Sequence, residues 1–248
     1  MPYIIAILLI IAQNSMIPFA YAVVRPGSFL GRAIMAYLIM GTILVIFIVK
    51  WKVKVEFGPR LSLKNFLIYA LLGLGIRYAH TIVFMLFPQV GMTMLSFGEE
   101  YVNAVFHQFK NPFIFVYCGF LGPVLEELFF RGKLLTACKN SGGTVKAIIV
   151  SALFFGLTHS FPAQFATAVC LGLLCGYIYT VTNDIKAPII IHIVNNFSSI
   201  FESLFIALGE EYKYSKTMAS WMLTVAVGMV MLIFGIRQCL VERRKRLG

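Results

Sequence analysis

Residues 111–132 read NPFIFVYCGFLGPVLEELFFRG. The run is apolar over enough length to cross a bilayer, which takes about 20 residues. Near its end it nevertheless carries Glu126, Glu127 and Arg131. An ionisable side chain at mid-membrane costs about 2.5–3.5 kcal/mol on insertion scales, so such residues usually have a partner or a task. Glu127 and Arg131 are four apart, so on a helix they share a face and can pair. Glu126 is rotated about 100° from Glu127 on that helix, which leaves it free to face a polar cavity. An ion-paired helix end accounts for Glu127 and Arg131 as readily as chemistry does. It accounts less well for Glu126.

Working outward, the whole chain has the same character. Its 248 residues are 60% hydrophobic and only 12% charged, with a mean hydropathy of +0.87. A soluble domain carries roughly 25% charged residues, so the solvent for most of this chain is lipid. Eight apolar segments are expected, at 3–23, 33–50, 65–87, 111–132, 144–161, 163–182, 187–207 and 217–237. Backbone groups in lipid must be bonded internally, which makes these segments helices. The alternation of a membrane barrel is absent. The expected fold is therefore all-α, a polytopic bundle of about eight spans. It forms one integral membrane domain over 1–248, with residues 111–205 as its motif-bearing core.

The net charge of +11 is explained by topology. With eight spans, fifteen of the 21 Lys and Arg residues fall on one side and five on the other, with Arg77 inside a span. The positive-inside rule then puts both termini in the cytoplasm, and nucleic acid is not an expected partner. The first segment lacks the basic start of a secretory signal and reads as an uncleaved span. The basic stretch 51–64 reads as an interfacial anchor or a plain loop, and the tail ERRKR as a contact for anionic headgroups. The loop 88–110, with Glu99, Glu100 and His107, is expected outside. None of the five cysteines has metal-ligand spacing with a histidine.

Two further clusters join the first. Phe155 and His159 are four apart in SALFFGLTHSFP, which sets a ring beside an imidazole. A lone histidine in an apolar helix is usually a packing residue. His192 and Asn196 share a face in APIIIHIVNNFSS, with Pro188 just upstream. Two histidines, an amide and a carboxylate pair in one bundle are costly unless they meet in a hydrated pocket. In such a pocket Glu126 and His159 would activate water, and His192 with Asn196 would stabilise a tetrahedral oxyanion. Arg77 and His80, three apart in the third segment, read as packing residues.

The ordered set EExxxR, FxxxH and HxxxN, each on its own hydrophobic segment, resembles the CPBP family. These are the CAAX proteases and bacteriocin-processing enzymes, also called Abi-type intramembrane endopeptidases. The signature positions are Glu126, Glu127 and Arg131, then Phe155 and His159, then His192 and Asn196. The resemblance implies an eight-helix membrane endopeptidase in which Glu126 and His159 activate water. It makes Glu127, Arg131 and Phe155 supporting residues and gives His192 and Asn196 the oxyanion. It favours no cofactor; by ligand count a zinc ion on Glu126, His159 and His192 is the other arrangement.

The expected partners are the lipid bilayer, a peptide or membrane-protein substrate and a regulatory membrane partner, in a prokaryotic plasma membrane. The competing class is a non-catalytic immunity or regulatory protein that binds a peptide. One tension follows from depth. On straight perpendicular helices His192 lies near the cytoplasmic end of its span and His159 near the far end of its own. The two meet only if helices tilt, extend or break, and Pro162 and Pro188 are the candidate breaks.

Overall fold

The computed structural model describes residues 4, 7, 29–86, 110–159, 163–208 and 218–247. The expected first span at 3–23 and the loop residues Glu99, Glu100 and His107 lie outside the described residues, as does Pro162. Among the described residues there are helices and no strands. They are α1 (Phe29–Lys50), α2 (Leu63–Ala79), α3 (Thr81–Leu86), α4 (Pro112–Gly142), α5 (Thr144–Gly156), α6 (Ala163–Thr182), α7 (Lys186–Leu208) and α8 (Met218–Leu247). The all-α class holds. By length and composition four helices among the described residues can cross a membrane, within α2–α3, α4, α6 and α8.

Local chemistry sets several of the ends. Asn111 caps α4 by accepting from the N–H groups of Phe113 and Ile114, and Pro112 takes the first turn, where a missing donor costs nothing. Ser62 caps α2 through Asn65 N–H. Gly143, at φ 81°, makes the left-handed turn that separates α4 from α5. Expected segment 111–132 continues to Gly142, because nothing in RGKLLTACKNSG stops a helix before Gly143. The tail ERRKR is the end of α8; Arg246 donates to Thr182 O at 3.3 Å, and Lys64 pairs with Glu242 at 2.6 Å.

In the bundle α2 packs against α7 and α8, α5 against α6, and α4 against α1, α5 and α7. Small residues allow the closest approaches. A Cβ on Gly73 would stand 2.6 Å from Ile191 O on α7, and one on Gly228 2.6 Å from Ala79 N on α2. With no hydrophobic drive between helices in lipid, such close packing is a main source of association.

Residues 51–62 are non-helical and tied to the bundle by hydrogen bonds. The buried Lys133 donates to Trp51 O (2.9 Å) and Val53 O (2.6 Å), Tyr179 OH receives Glu56 N–H, and Lys186 reaches Gly58 O. The segment is thereby strapped across the ends of α4, α6 and α7.

Candidate active site

Two π-helical stretches, Tyr117–Leu121 and Leu128–Leu135, bracket Gly122–Glu127 inside α4. Such wide turns disturb the ladder of main-chain bonds and recur at functional sites. Both are stitched to a neighbouring motif helix. Ser151 of α5 donates to Phe130 O at 2.8 Å, and Asn196 Nδ2 of α7 donates to Cys118 O at 2.9 Å.

Between these stitches lies the carboxylate pair. Glu127 is fully buried, and its Oε1 accepts from Arg131 NH1 and from His192 Nδ1, each at 2.8 Å. The expected Glu127–Arg131 pair is therefore present, and it has a third member that spacing alone does not reveal. A carboxylate on Nδ1 fixes the imidazole so that Nε2 is the nitrogen turned outward. That Nε2 stands 3.7 Å from Glu126 Oε2, beyond hydrogen-bond length, and Glu126 keeps 27% of its side-chain surface accessible. The two adjacent glutamates thus have opposite surroundings, as their 100° separation on a helix anticipates.

Phe155 is buried at the centre. Its ring meets the His159 imidazole at 4.7 Å and the His192 imidazole at 5.5 Å between centroids, and the Arg131 guanidinium lies over it at 4.6 Å. The fifth helix ends at Gly156, not 161, so His159 sits on the turn that follows. The expected conflict in depth between the histidines does not arise in the bundle, where both imidazoles meet the ring of Phe155.

The turn also fixes the tautomer of His159. Thr158 Oγ1 donates to Phe155 O at 2.6 Å, and His159 Nδ1 lies 3.0 Å from that carbonyl and 3.2 Å from Thr158 Oγ1. Both neighbours of Nδ1 are acceptors, so Nδ1 carries the proton and Nε2 of the neutral ring is the free base. Glu126 and His192 both lie within electrostatic reach of His159.

Glu126, Glu127, Arg131, Phe155, His159 and His192 therefore form one cluster. Asn196 stands apart, with one N–H of its amide committed to a main-chain carbonyl. Among the described residues no three His, Cys, Asp or Glu side chains gather as a metal ion requires. Glu126 Oε2 and His192 Nε2 approach to 3.7 Å, and His159, with Nδ1 on the Phe155 carbonyl, keeps its own Nε2 free.

Sequence reasoning missed Ser151 and Tyr37. Ser151 had a signal, being a polar residue on an apolar helix one turn before Phe155. Tyr37 of α1, whose ring lies 4.9 Å from that of Tyr117 and whose hydroxyl bonds Cys118, had none. Arg77 and His80 lie outside the cluster on α2 and its cap, with His80 buried.

Residues 108–198 match the family model "Type II CAAX prenyl endopeptidase Rce1-like". The membrane-embedded CAAX protease MroQ of Staphylococcus aureus is 27% identical over 185 residues, covering 68% of this chain and 72% of that protein. YdiL of Bacillus subtilis, assigned as a membrane peptidase, is 26% identical over 85 residues, covering 34% of this chain and 35% of that protein. No solved structure matches the chain significantly.

Proposed function

We propose that residues 108–198, which match the Rce1-like CAAX endopeptidase model, form a protease core of the CPBP type, and that the protein is an intramembrane endopeptidase. Its substrate is a peptide or a lipidated protein presented near the cytoplasmic face of the membrane. The observation that carries this reading is the buried chain Arg131–Glu127–His192, which aims His192 Nε2 at the accessible Glu126 carboxylate.

In the proposed reaction Glu126 takes a proton from water, assisted by the free Nε2 of His159, and the resulting hydroxide attacks the peptide carbonyl. The carbonyl π electrons move to oxygen, and His192, acting as an imidazolium whose charge the Glu127 carboxylate at Nδ1 balances, donates its Nε2–H to the oxyanion. Collapse of the tetrahedral intermediate expels the amine, which receives the proton held by Glu126. Glu127 holds His192 in its orientation, and Arg131, resting on Phe155, balances the charge of Glu127. The proposed chemistry asks for no metal.

Cleavage of a quenched-fluorescent farnesylated CAAX peptide in liposomes, by wild type, Glu126→Ala and His159→Ala, tests the proposal. Both variants are expected to fold and to lose cleavage. Full cleavage by Glu126→Ala would overturn the mechanism. If no peptide is ever cut while both variants still support the biological effect, a non-catalytic binding role takes its place.

A further inference from the structure

Pro123 stands three residues before the carboxylate pair, and its effect reaches across the bundle. In an α-helix the Cys118 carbonyl accepts from residue 122, and in a π-helix from residue 123. Here the Gly122 N–H is bonded to Tyr117 O instead, and residue 123, being proline, has no N–H. Both helical donors to Cys118 O are therefore lost, inside a span where water offers no substitute. The partner that this carbonyl does have is Asn196 Nδ2 at 2.9 Å, while Asn196 Oδ1 accepts from Asn195 Nδ2 at 3.2 Å. A carbonyl can only accept, so the amide orientation is fixed by the contact itself. At the same level Gly119 leaves room for Phe197, whose ring atoms would come within 2.8 Å of a Cβ there.

We propose that Pro123 and Asn196 form a register lock between α4 and α7. Pro123 exposes the Cys118 carbonyl, Asn196 takes it up, and the bond sets the level at which His192, one turn away on α7, meets Glu126 and Glu127. Asn196 is on this account a positioning residue that acts through His192, with one N–H of its amide held by the Cys118 carbonyl. The positioning role rests on the endopeptidase reading; the lock itself is a statement about packing.

The test is a double-mutant cycle in the full chain, with Asn196→Ala, Pro123→Ala and both together. Alanine at 123 restores an N–H that can close a π-type bond to Cys118 O. Melting temperature in detergent and kcat and KM on the farnesylated CAAX peptide are read for each variant. Asn196→Ala alone is expected to lower the melting temperature and to cut kcat at least tenfold with KM little changed. In the Pro123→Ala background the same change is expected to cost several-fold less in kcat and less in melting temperature. An equal kcat loss in both backgrounds overturns the proposal, because Asn196 would then act on the substrate directly. An equal loss of melting temperature in both backgrounds overturns the lock, and this readout stands even if the wild type cuts no peptide. Asn196→Ser replaces Asn196→Ala in the same cycle if the alanine variant does not fold.

Discussion

Glu127→Gln separates the charge of Glu127 from its shape. One oxygen of Glu127 takes hydrogen bonds from both Arg131 and His192 at 2.8 Å, and Glu127, Arg131 and His192 are 0%, 0% and 2% exposed. The amide keeps the volume but removes the charge that balances Arg131. Removing one member of a buried ion pair costs about 3–5 kcal/mol. The guanidinium keeps its place over Phe155, 4.6 Å away, a contact that contributes about 0.5–2 kcal/mol. The lower end, about 3 kcal/mol, is therefore expected. At about 2–4 °C per kcal/mol for a chain of this size, the melting temperature should fall by about 6–12 °C.

Cleavage should fall by about a hundredfold, the scale on which a positioned acid–base group contributes. The free thiols of Cys138, Cys175 and Cys239 are buried, so a thiol-reactive fluorophore reports unfolding in detergent. The control is Glu127→Leu with Arg131→Met, since exchange of both partners for apolar groups is often close to neutral. It should recover the stability but not the cleavage, because His192 still lacks its acceptor. A Glu127→Gln protein that melts within about 2 °C of its parent and cleaves normally would show that the Glu127 charge supports neither Arg131 nor His192.

Three more outcomes follow from the packing and the donor set. Gly73→Ala would put a Cβ 2.6 Å from Ile191 O; overpacking of this kind costs about 1–3 kcal/mol, so a melting temperature equal to the parent's would mean that α2 and α7 are not so close. Ser151→Ala should cost about 1–3 kcal/mol by leaving the buried Phe130 carbonyl without its side-chain donor, and a melt identical to the parent's would remove Ser151 from the bracing of α4. Dialysis against a strong chelator should leave cleavage unchanged, whereas loss of cleavage restored by zinc would replace the glutamate mechanism with a metal one.

Much of this was legible in the sequence because membrane insertion is a severe filter. Hydropathy places helices where lipid requires them, and seven of the eight expected segments coincide with described helices. For the same reason the few ionisable residues on apolar segments could be named in advance: Glu126, Glu127, Arg131, His159 and His192. The helical period also separates the two glutamates, with Glu127 buried and paired and Glu126 partly accessible.

Only the tertiary structure decided which groups touch. The bond between Glu127 and His192 joins residues 65 apart, and no local spacing encodes a contact between separate helices. The early end of α5 moves His159 onto a turn, where Thr158 Oγ1 and His159 Nδ1 both meet the Phe155 carbonyl. The task of Asn196 depends on a carbonyl whose helical donors are lost at Gly122 and Pro123. Periodicity can tell which residues lipid must not see, since that is a property of each helix alone. Their partners are set by the register of one helix against another, which side-chain packing and main-chain bonding fix only in the assembled bundle.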